Sequence, residues 1–174
     1  MELNGLVLHT PRTDIIITSS RDASKRTRSF LNELELIIPN SLKINRGRQS
    51  FKQILHISYD IGARFLLFIL TYKGNPSYLE LYSISYNAIL LKYKFRISSI
   101  SLVSDIKDKK IPRNPCINKM ECTKIMDFIT DINLFRLTRC ESFLNIIKLS
   151  EKECEIYFTD LKGYKIGLSM RLLI

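Results

Sequence analysis

The chain has 174 residues, and its 27 Lys and Arg outnumber its 17 Asp and Glu, a formal net charge of +10 that favours binding to a polyanion such as nucleic acid. Hydrophobic residues make up 45% of the sequence, which suffices for a packed core and excludes intrinsic disorder as the main state. The longest strongly apolar run, residues 65–70, is too short to cross a bilayer, and the start of the chain lacks the pattern of a secretion signal, so we expect a soluble cytoplasmic protein without membrane association.

The first part of the chain alternates strand and helix patterns. Three consecutive isoleucines predict a buried strand within residues 14–20. An apolar stripe then predicts a helix over 22–38, with Asp22 or Ser24 available as its N-cap. The next predicted elements are a strand over 41–44, a basic turn over 45–48, a helix over 50–61 capped by Gly62, a strand over 64–71 and its hairpin partner over 78–84.

The remaining residues predict one more helix among several strands. A strand over 86–95 is extended by residues 96–103, or else these start the next unit. Residues 104–115, rich in charge and proline, predict a linker or surface loop. The later predictions are a helix from about 118 to 131 and strands over 142–149, 155–159 and 164–173, with a hairpin turn over 160–163. This order of elements favours a two-lobed α/β arrangement over one large barrel.

The sequence contains no recognisable catalytic or metal-binding pattern. Its cysteines, which we expect to be reduced and packed in the core, lie at spacings that match no zinc site: Cys116, Cys122, Cys140 and Cys154. His9 and His56 are too few for a metal cluster, and helix capping explains Ser19 and Ser20 better than nucleophilic catalysis does. We therefore predict no catalytic residue, no metal and no cofactor.

Basic residues stand at the start of the first predicted helix. Arg21, Lys25 and Arg28 oppose the helix dipole there, since cations are normally favoured at the other end. A bound phosphate would compensate them by accepting the free N-terminal amides and pairing with these side chains. The alternative is that the long side chains are simply solvated at a small cost.

Three stretches resemble the Brix domain family of ribosome-biogenesis factors, especially its short archaeal members. They are the strand-to-helix segment from Ile15 to Ser41, the turn Asn45-Arg46-Gly47-Arg48, and Thr71-Tyr72-Lys73-Gly74-Asn75-Pro76 followed by Leu79 and Tyr82. The resemblance covers nearly the whole chain and includes the final hairpin, where Tyr164-Lys165 replaces an expected proline-arginine pair.

This resemblance implies an α/β (α+β) fold in a single domain over residues 1–174. It further implies two similar halves, about 1–103 and 104–174, each like the anticodon-binding domain of class II aminoacyl-tRNA synthetases, with mixed sheets covered by helices. The implied function is non-catalytic: binding of ribosomal RNA during precursor processing and subunit assembly, with ribosomal proteins or other assembly factors as further partners.

The resemblance and the charge distribution point to the same residues. Residues 1–100 carry 14 basic and 7 acidic side chains, whereas 101–174 carry 13 and 10. Since the ends of parallel strands share one edge of a sheet, we predict an RNA-binding edge there. It comprises Arg21, Lys25, Arg28, Arg46, Arg48 and Lys73. Tyr72 and Tyr78 either stack on bases beside it or pack within the hairpin.

Three other functions remain open at the level of sequence. One is a tRNA or anticodon-type RNA-binding accessory protein, because fold does not dictate ligand. The second is a metal-dependent RNA-processing nuclease using a carboxylate such as Asp14, Asp22 or Asp60. The third is a protein-protein adaptor, supported by the less basic second half.

Overall fold

The computed structural model describes residues 12–107 and 109–174 and has a mixed α/β architecture with one large sheet. Three helices accompany nine strands in this part of the chain. In chain order the elements are β1 (Ile15–Ser19), α1 (Lys25–Ile37), β2 (Ser41–Lys43), α2 (Phe51–Ile61), β3 (Phe65–Tyr72), β4 (Asn75–Ile84), β5 (Ile89–Ser101), a 3-10 turn (Val103–Asp105), β6 (Pro115–Met120), α3 (Thr123–Asp131), β7 (Ser142–Ser150), β8 (Glu153–Thr159) and β9 (Lys165–Leu173).

The sheet is continuous from β2 to β6. Its strand order is β2-β1-β3-β4-β5-β9-β8-β7-β6. The pairs β1–β2, β1–β3 and β6–β7 are parallel, and the other five pairs are antiparallel. Since β5 pairs with β9, hydrogen bonding runs without a break between the strands of residues 15–101 and those of residues 115–173.

Helices α1 and α3 pack on one face of the sheet and share one hydrophobic core. Phe30 of α1 and Phe128 of α3 are fully buried there, together with alternate residues of strands from both parts of the sheet. Helix α2 packs on the opposite face, where Ile54 contacts a smaller cluster that includes Ile16 and Leu66. The first sheet segment is therefore covered on both faces, which explains the near-continuous apolar runs of β1 and β3.

Local capping signals account for the start of α1 and for both ends of α2. Ser24, and not Asp22, caps α1 by accepting a hydrogen bond from the amide of Thr27. Ser50 and Gln53 form a reciprocal capping box at the start of α2. Gly62 ends that helix with φ +83°, a left-handed conformation that glycine adopts without steric cost.

The third helix and the predicted linker differ most from expectation. Residues 118–120, predicted as helix, belong instead to strand β6, and α3 begins only at Thr123. The predicted loop over 104–115 contributes its last residue to the same strand. Parallel pairing with β7 stabilises β6, and such a long-range partner leaves no trace in local apolar spacing.

The prediction of reduced cysteines is wrong. The fold joins Cys116 of β6 to Cys140 and Cys122, at the start of α3, to Cys154 of β8. The paired Cα atoms lie 5.4 and 6.5 Å apart, within the range that a disulfide spans. Spacing along the chain excluded zinc patterns but carried no information on which cysteines meet across the sheet.

None of the helices in the described ranges combines the length and apolar character needed to span a membrane.

Candidate nucleic-acid interface

The loops that follow β1, β2 and β3 meet at one edge of the sheet. These strands are mutually parallel, so their carboxyl ends coincide. The amide of Ser20 donates to the carbonyl of Ile69 at 2.9 Å, and the Thr18 hydroxyl donates to the carbonyl of Ile44 at 2.7 Å. These bonds tie the end of β1 to β3 on one side and to the residue after β2 on the other, where the loops leave the sheet.

A cavity of about 310 Å³ lies at this edge, between the start of α1 and the turn after β2. Its lining includes three arginines and no acidic residue: Ser19, Ser20, Arg21, Ala23, Arg28, Leu31, Asn45, Arg46 and Gly47. Three positive groups from three separate segments therefore surround one concave surface, which is the arrangement a phosphate-bearing ligand requires.

Arg46 is the most constrained of these arginines. Its Nε donates to the carbonyl of Gln49 at 3.1 Å, and its guanidinium lies 5.4 Å from the centroid of the Phe68 ring. Burial lowers the pKa of Arg46, the nearby charge of Arg21 lowers it further, and Asp22 opposes both effects. The positive charges thus repel one another in a partly desolvated site, and a bound anion would relieve that repulsion.

Arg48 joins the same group through the backbone. The Nη2 of Arg21 donates to the carbonyl of Arg48 at 3.3 Å. Gly47, between the two arginines of the turn, has φ +53°, which lets the chain reverse there. The turn therefore brings Arg46 and Arg48 to the carboxyl end of β1.

Lys25 and Lys73 do not line the cavity. Lys25 is the exposed first residue of α1, and Lys73 follows β3 with its Nζ 5.5 Å from the centroid of the Tyr72 ring. The two segments do meet nearby, because the hydroxyls of Thr27 and Thr71 are hydrogen-bonded at 3.0 Å. The structure thus gathers Arg21, Arg28 and Arg46, adds Arg48 through a direct contact, and leaves two lysines on the adjoining surface. Their role in binding RNA stays a prediction.

Arg26 belongs to the same helix turn but has a structural role. It forms an ion pair with Asp105 at 2.8 Å and also donates to the carbonyl of Ile100 at 3.2 Å. The hydrogen bond to Asp105 is the main cause of a raised pKa for Arg26. Arg26 therefore ties α1 to the end of β5 and is directed away from the arginine cavity.

Sequence reasoning missed Phe68, the aromatic support of Arg46. In strand β3 the apolar residues alternate between the two sheet faces, and Phe68 shares the α2 face with Leu66. Its edge-to-face contact with Phe51, at 5.1 Å between centroids, holds the ring beneath the guanidinium. The sequence signal that could have identified Phe68 is an aromatic residue near the end of a strand, on the sheet face opposite α1.

The two tyrosines near the edge differ in exposure. Tyr72 is 65% exposed and has the Lys73 ammonium over its ring, so a base could reach it. Tyr78 is half-buried, and the ammonium of Lys94 lies 5.1 Å from its ring centroid. Tyr72 is therefore the better placed of the two for stacking.

Two of the carboxylates proposed for a nuclease lie at opposite ends of β1. Asp14 precedes β1 and pairs with Arg12 at 2.9 Å and Arg64 at 3.4 Å, whereas Asp22 follows the same strand at its other end. Asp60 lies near the end of α2. Among the residues with a described structure, no three His, Cys, Asp or Glu side chains are grouped as metal ligands.

The corresponding edge of the other parallel pair, β6–β7, carries acidic groups. The Glu121 carboxylate accepts the amide of Lys148 at 3.0 Å, and the Lys148 ammonium pairs with Glu151 at 2.7 Å. In the closing hairpin, Lys165 lies 4.3 Å from the Tyr157 ring centroid and 3.5 Å from a Glu155 oxygen. In both places a lysine lies beside a carboxylate, whereas the lining of the arginine cavity contains no carboxylate.

Curated relatives that match most of the chain share one family name. No family model matches the sequence. A protein of Saccharolobus solfataricus named "Probable Brix domain-containing ribosomal biogenesis protein" is 39% identical over 87% of this chain and 91% of its own length. A protein of the same name from Sulfurisphaera tokodaii is 38% identical over 85% of each chain.

Solved structures show the same fold. A probable ribosomal biogenesis protein from Aeropyrum pernix K1 aligns with a TM-score of 0.72 at 20% identity and covers 92% of this chain and 95% of its own. Mil, described as an archaeal Imp4-like protein, aligns with a TM-score of 0.68 at 19% identity, covering 91% and 97%.

Proposed function

This chain belongs to the Brix domain family, whose curated members compared above are named ribosomal biogenesis proteins, and from that membership we propose that it is a non-catalytic RNA-binding factor in ribosome biogenesis. Its ligand is a ribosomal RNA precursor, held during processing and subunit assembly. Ribosomal proteins or other assembly factors join it on the same particle.

The arginine cavity carries this proposal. Arg21, Arg28 and Arg46 line a concave surface whose lining contains no carboxylate, and Arg48 adjoins it. Guanidinium groups grip phosphate oxygens in two places and stack on unpaired bases, so they suit a folded RNA backbone. Binding here works through phosphates and shape, with little reading of base sequence.

Two similar halves are part of the same proposal. In residues 15–101 a parallel pair, β1–β3, is followed by antiparallel β4 and β5. In residues 115–173 a parallel pair, β6–β7, is followed by antiparallel β8 and β9. This repetition of strand order supports a common origin of the halves, each like an anticodon-binding domain, with only the first carrying the basic cavity.

The test is RNA affinity measured by filter binding across a range of salt concentrations. Replacing Arg46 and Arg48 together by Ala should weaken binding of ribosomal RNA and reduce the steepness of its salt dependence by about one unit for each lost phosphate contact. The matched control replaces Lys124 and Lys152, two exposed lysines of the other half, by Ala and removes the same net charge.

The outcomes separate clearly. Equal affinity of the folded Arg46/Arg48 variant and the parent chain contradicts the site, and an equal loss in the lysine control reduces the effect to net charge. Sequencing of RNA crosslinked to the protein in cells then identifies the ligand. Recovery of tRNA in place of ribosomal RNA precursors would contradict the role in ribosome biogenesis.

A further inference from the structure

A second cavity lies outside the arginine site, where the end of α1 approaches the loops before β6 and β7. Its volume is about 240 Å³. The lining contains two arginines, two asparagines and otherwise apolar or proline residues, with no carboxylate. We call it the α1–β6 cavity. It shares no lining residue with the arginine cavity.

The two walls of this cavity differ in chemistry. The α1 side presents Leu36, which is 61% exposed, and Pro39. On the loop side the cavity is lined by Arg113 and Arg136, both exposed, and neither has a side-chain hydrogen bond or ion pair within the described ranges. An apolar wall facing two exposed arginines suits a ligand that is flat and apolar at one end and anionic at the other.

The loop side is held rigidly. The amide of Arg136 donates to the carbonyl of Pro115 at 2.6 Å, and the Ser142 hydroxyl donates to the carbonyl of Arg113 at 2.8 Å. The Cys116–Cys140 disulfide closes the same loop onto β6. Because the backbone is fixed, little conformational entropy is lost when a ligand binds.

We propose that the α1–β6 cavity binds one unpaired RNA nucleotide, with its base against Leu36 and Pro39 and its phosphate between Arg113 and Arg136. This inference rests on the proposed RNA-binding function and adds to it a site that recognises a base. The carboxyl end of α1 carries partial negative charge, so the phosphate lies on the loop side, next to the arginines.

The size and polar groups of the cavity fit this ligand. The cavity volume of about 240 Å³ is below the 300 Å³ or so at which pockets for whole small molecules begin, so the cavity accommodates the base and part of the sugar while the phosphate lies at its rim beside the exposed arginines. The Asn133 amide offers a donor and an acceptor for the edge of a base. Proteins recognise RNA sequence mainly at such splayed, unstacked bases.

The experiment titrates the isotope-labelled full chain with the four ribonucleoside 5′-monophosphates and, separately, with ribose 5-phosphate, and follows backbone amides by NMR. We expect the amides of Asn114, Cys116 and residues 134–136 to shift with at least one nucleotide and to shift far less with ribose 5-phosphate. Replacing Arg113 and Arg136 by Gln should weaken this binding at least about tenfold, since two charge-assisted contacts are lost.

Two control variants keep the result distinct from the proposed function. The Arg46/Arg48 double alanine variant should bind mononucleotides as the parent does, even though it binds ribosomal RNA poorly. A Lys124→Gln/Lys152→Gln variant should also bind them normally. A parent chain that binds nucleotides in the α1–β6 cavity but does not bind ribosomal RNA contradicts the proposed function and leaves the cavity assignment intact.

Other results would overturn the cavity assignment. Equal shifts with ribose 5-phosphate would reduce the cavity to an anion site, and shifts confined to the arginine site would place the base there. A response of the same amides to a short acidic peptide, with none to nucleotides, would make the ligand a protein.

Discussion

The Arg46 guanidinium lies over the ring of Phe68, 5.4 Å from its centroid, while its Nε donates to the carbonyl of Gln49. These two contacts hold the side chain from below and from one side, so its outer nitrogens remain available at the cavity. A cation that is oriented before binding loses less entropy when it meets a phosphate. Because Phe68 also packs against Phe51 of α2, the Arg46–Phe68 contact links α2 to the arginine cavity.

Replacing Phe68 by Leu should therefore weaken RNA binding without removing any charge. The change keeps an apolar side chain on β3 but eliminates the cation–π contact, worth about 0.5–1 kcal/mol, so affinity should fall about two- to fivefold. Filter binding measures this change. The control is Phe65→Leu, which makes the same change at the start of β3 and leaves the Arg46–Phe68 contact in place. Identical affinities of the two variants would contradict the supporting role of Phe68.

The disulfides should contribute measurably to stability. They close loops with sequence separations of 24 and 32, for which the chain-entropy estimate is about 3.5 kcal/mol per bridge. Urea denaturation with and without reductant should show a clear loss of unfolding free energy on reduction. A Cys116→Ala/Cys140→Ala variant should keep part of that response through Cys122–Cys154. Four titratable thiols in the native chain would refute the pairing.

The pKa of Asp105 should depend on Arg26. The hydrogen bond from Arg26 and a second from the amide of Leu102 hold the pKa of that carboxyl below its usual 3.8. The stabilisation is therefore complete above the pKa of the unfolded chain and declines as the pH falls through the lower folded value. NMR titration of Arg26→Gln should show the Asp105 pKa rising toward 3.8. Arg28→Gln is the control, and an equal rise there would rule out a specific pair.

Gly167 should be sensitive to a single added methyl group. It has φ +67°, and a Cβ there would lie 2.4 Å from Cδ of Pro112, a residue that lines the α1–β6 cavity. Gly167→Ala should therefore lower the melting temperature and displace that wall of the cavity. Gly163→Ala isolates the backbone strain, because φ is +89° there and a Cβ would meet nothing within 4 Å. Equal destabilisation by both substitutions would show that the collision with Pro112 is relieved at no cost.

Sequence predicted best what nearby residues determine. The predicted limits of α2, residues 50–61 with Gly62 as the cap, agree with the structure to within one residue, since a glycine cap acts within one helical turn; Ser50 proves to be the N-cap. The convergence of the loops after β1, β2 and β3 followed from the parallel arrangement of those strands. Three of the six predicted basic residues consequently line one cavity.

Long-range contacts account for what the sequence did not reveal. Strand β6 exists through its pairing with β7, and the cysteines pair across elements that are 24 and 32 residues apart. The α1–β6 cavity likewise combines Leu36 with Arg113 and Arg136, which no local pattern connects. The separation of Arg26 from its basic neighbours depends on Asp105, 79 residues further along.

The pairing of β5 with β9 also has a consequence for the order of folding. The register joins Arg96 to Leu173, so one edge of β5 stays open until the last strand in chain order has left the ribosome. Contacts between such distant residues slow folding, since a long loop must close before they form. Until then β5 and β8 each expose an unpaired edge that can pair with another chain, so this topology is open to aggregation during synthesis.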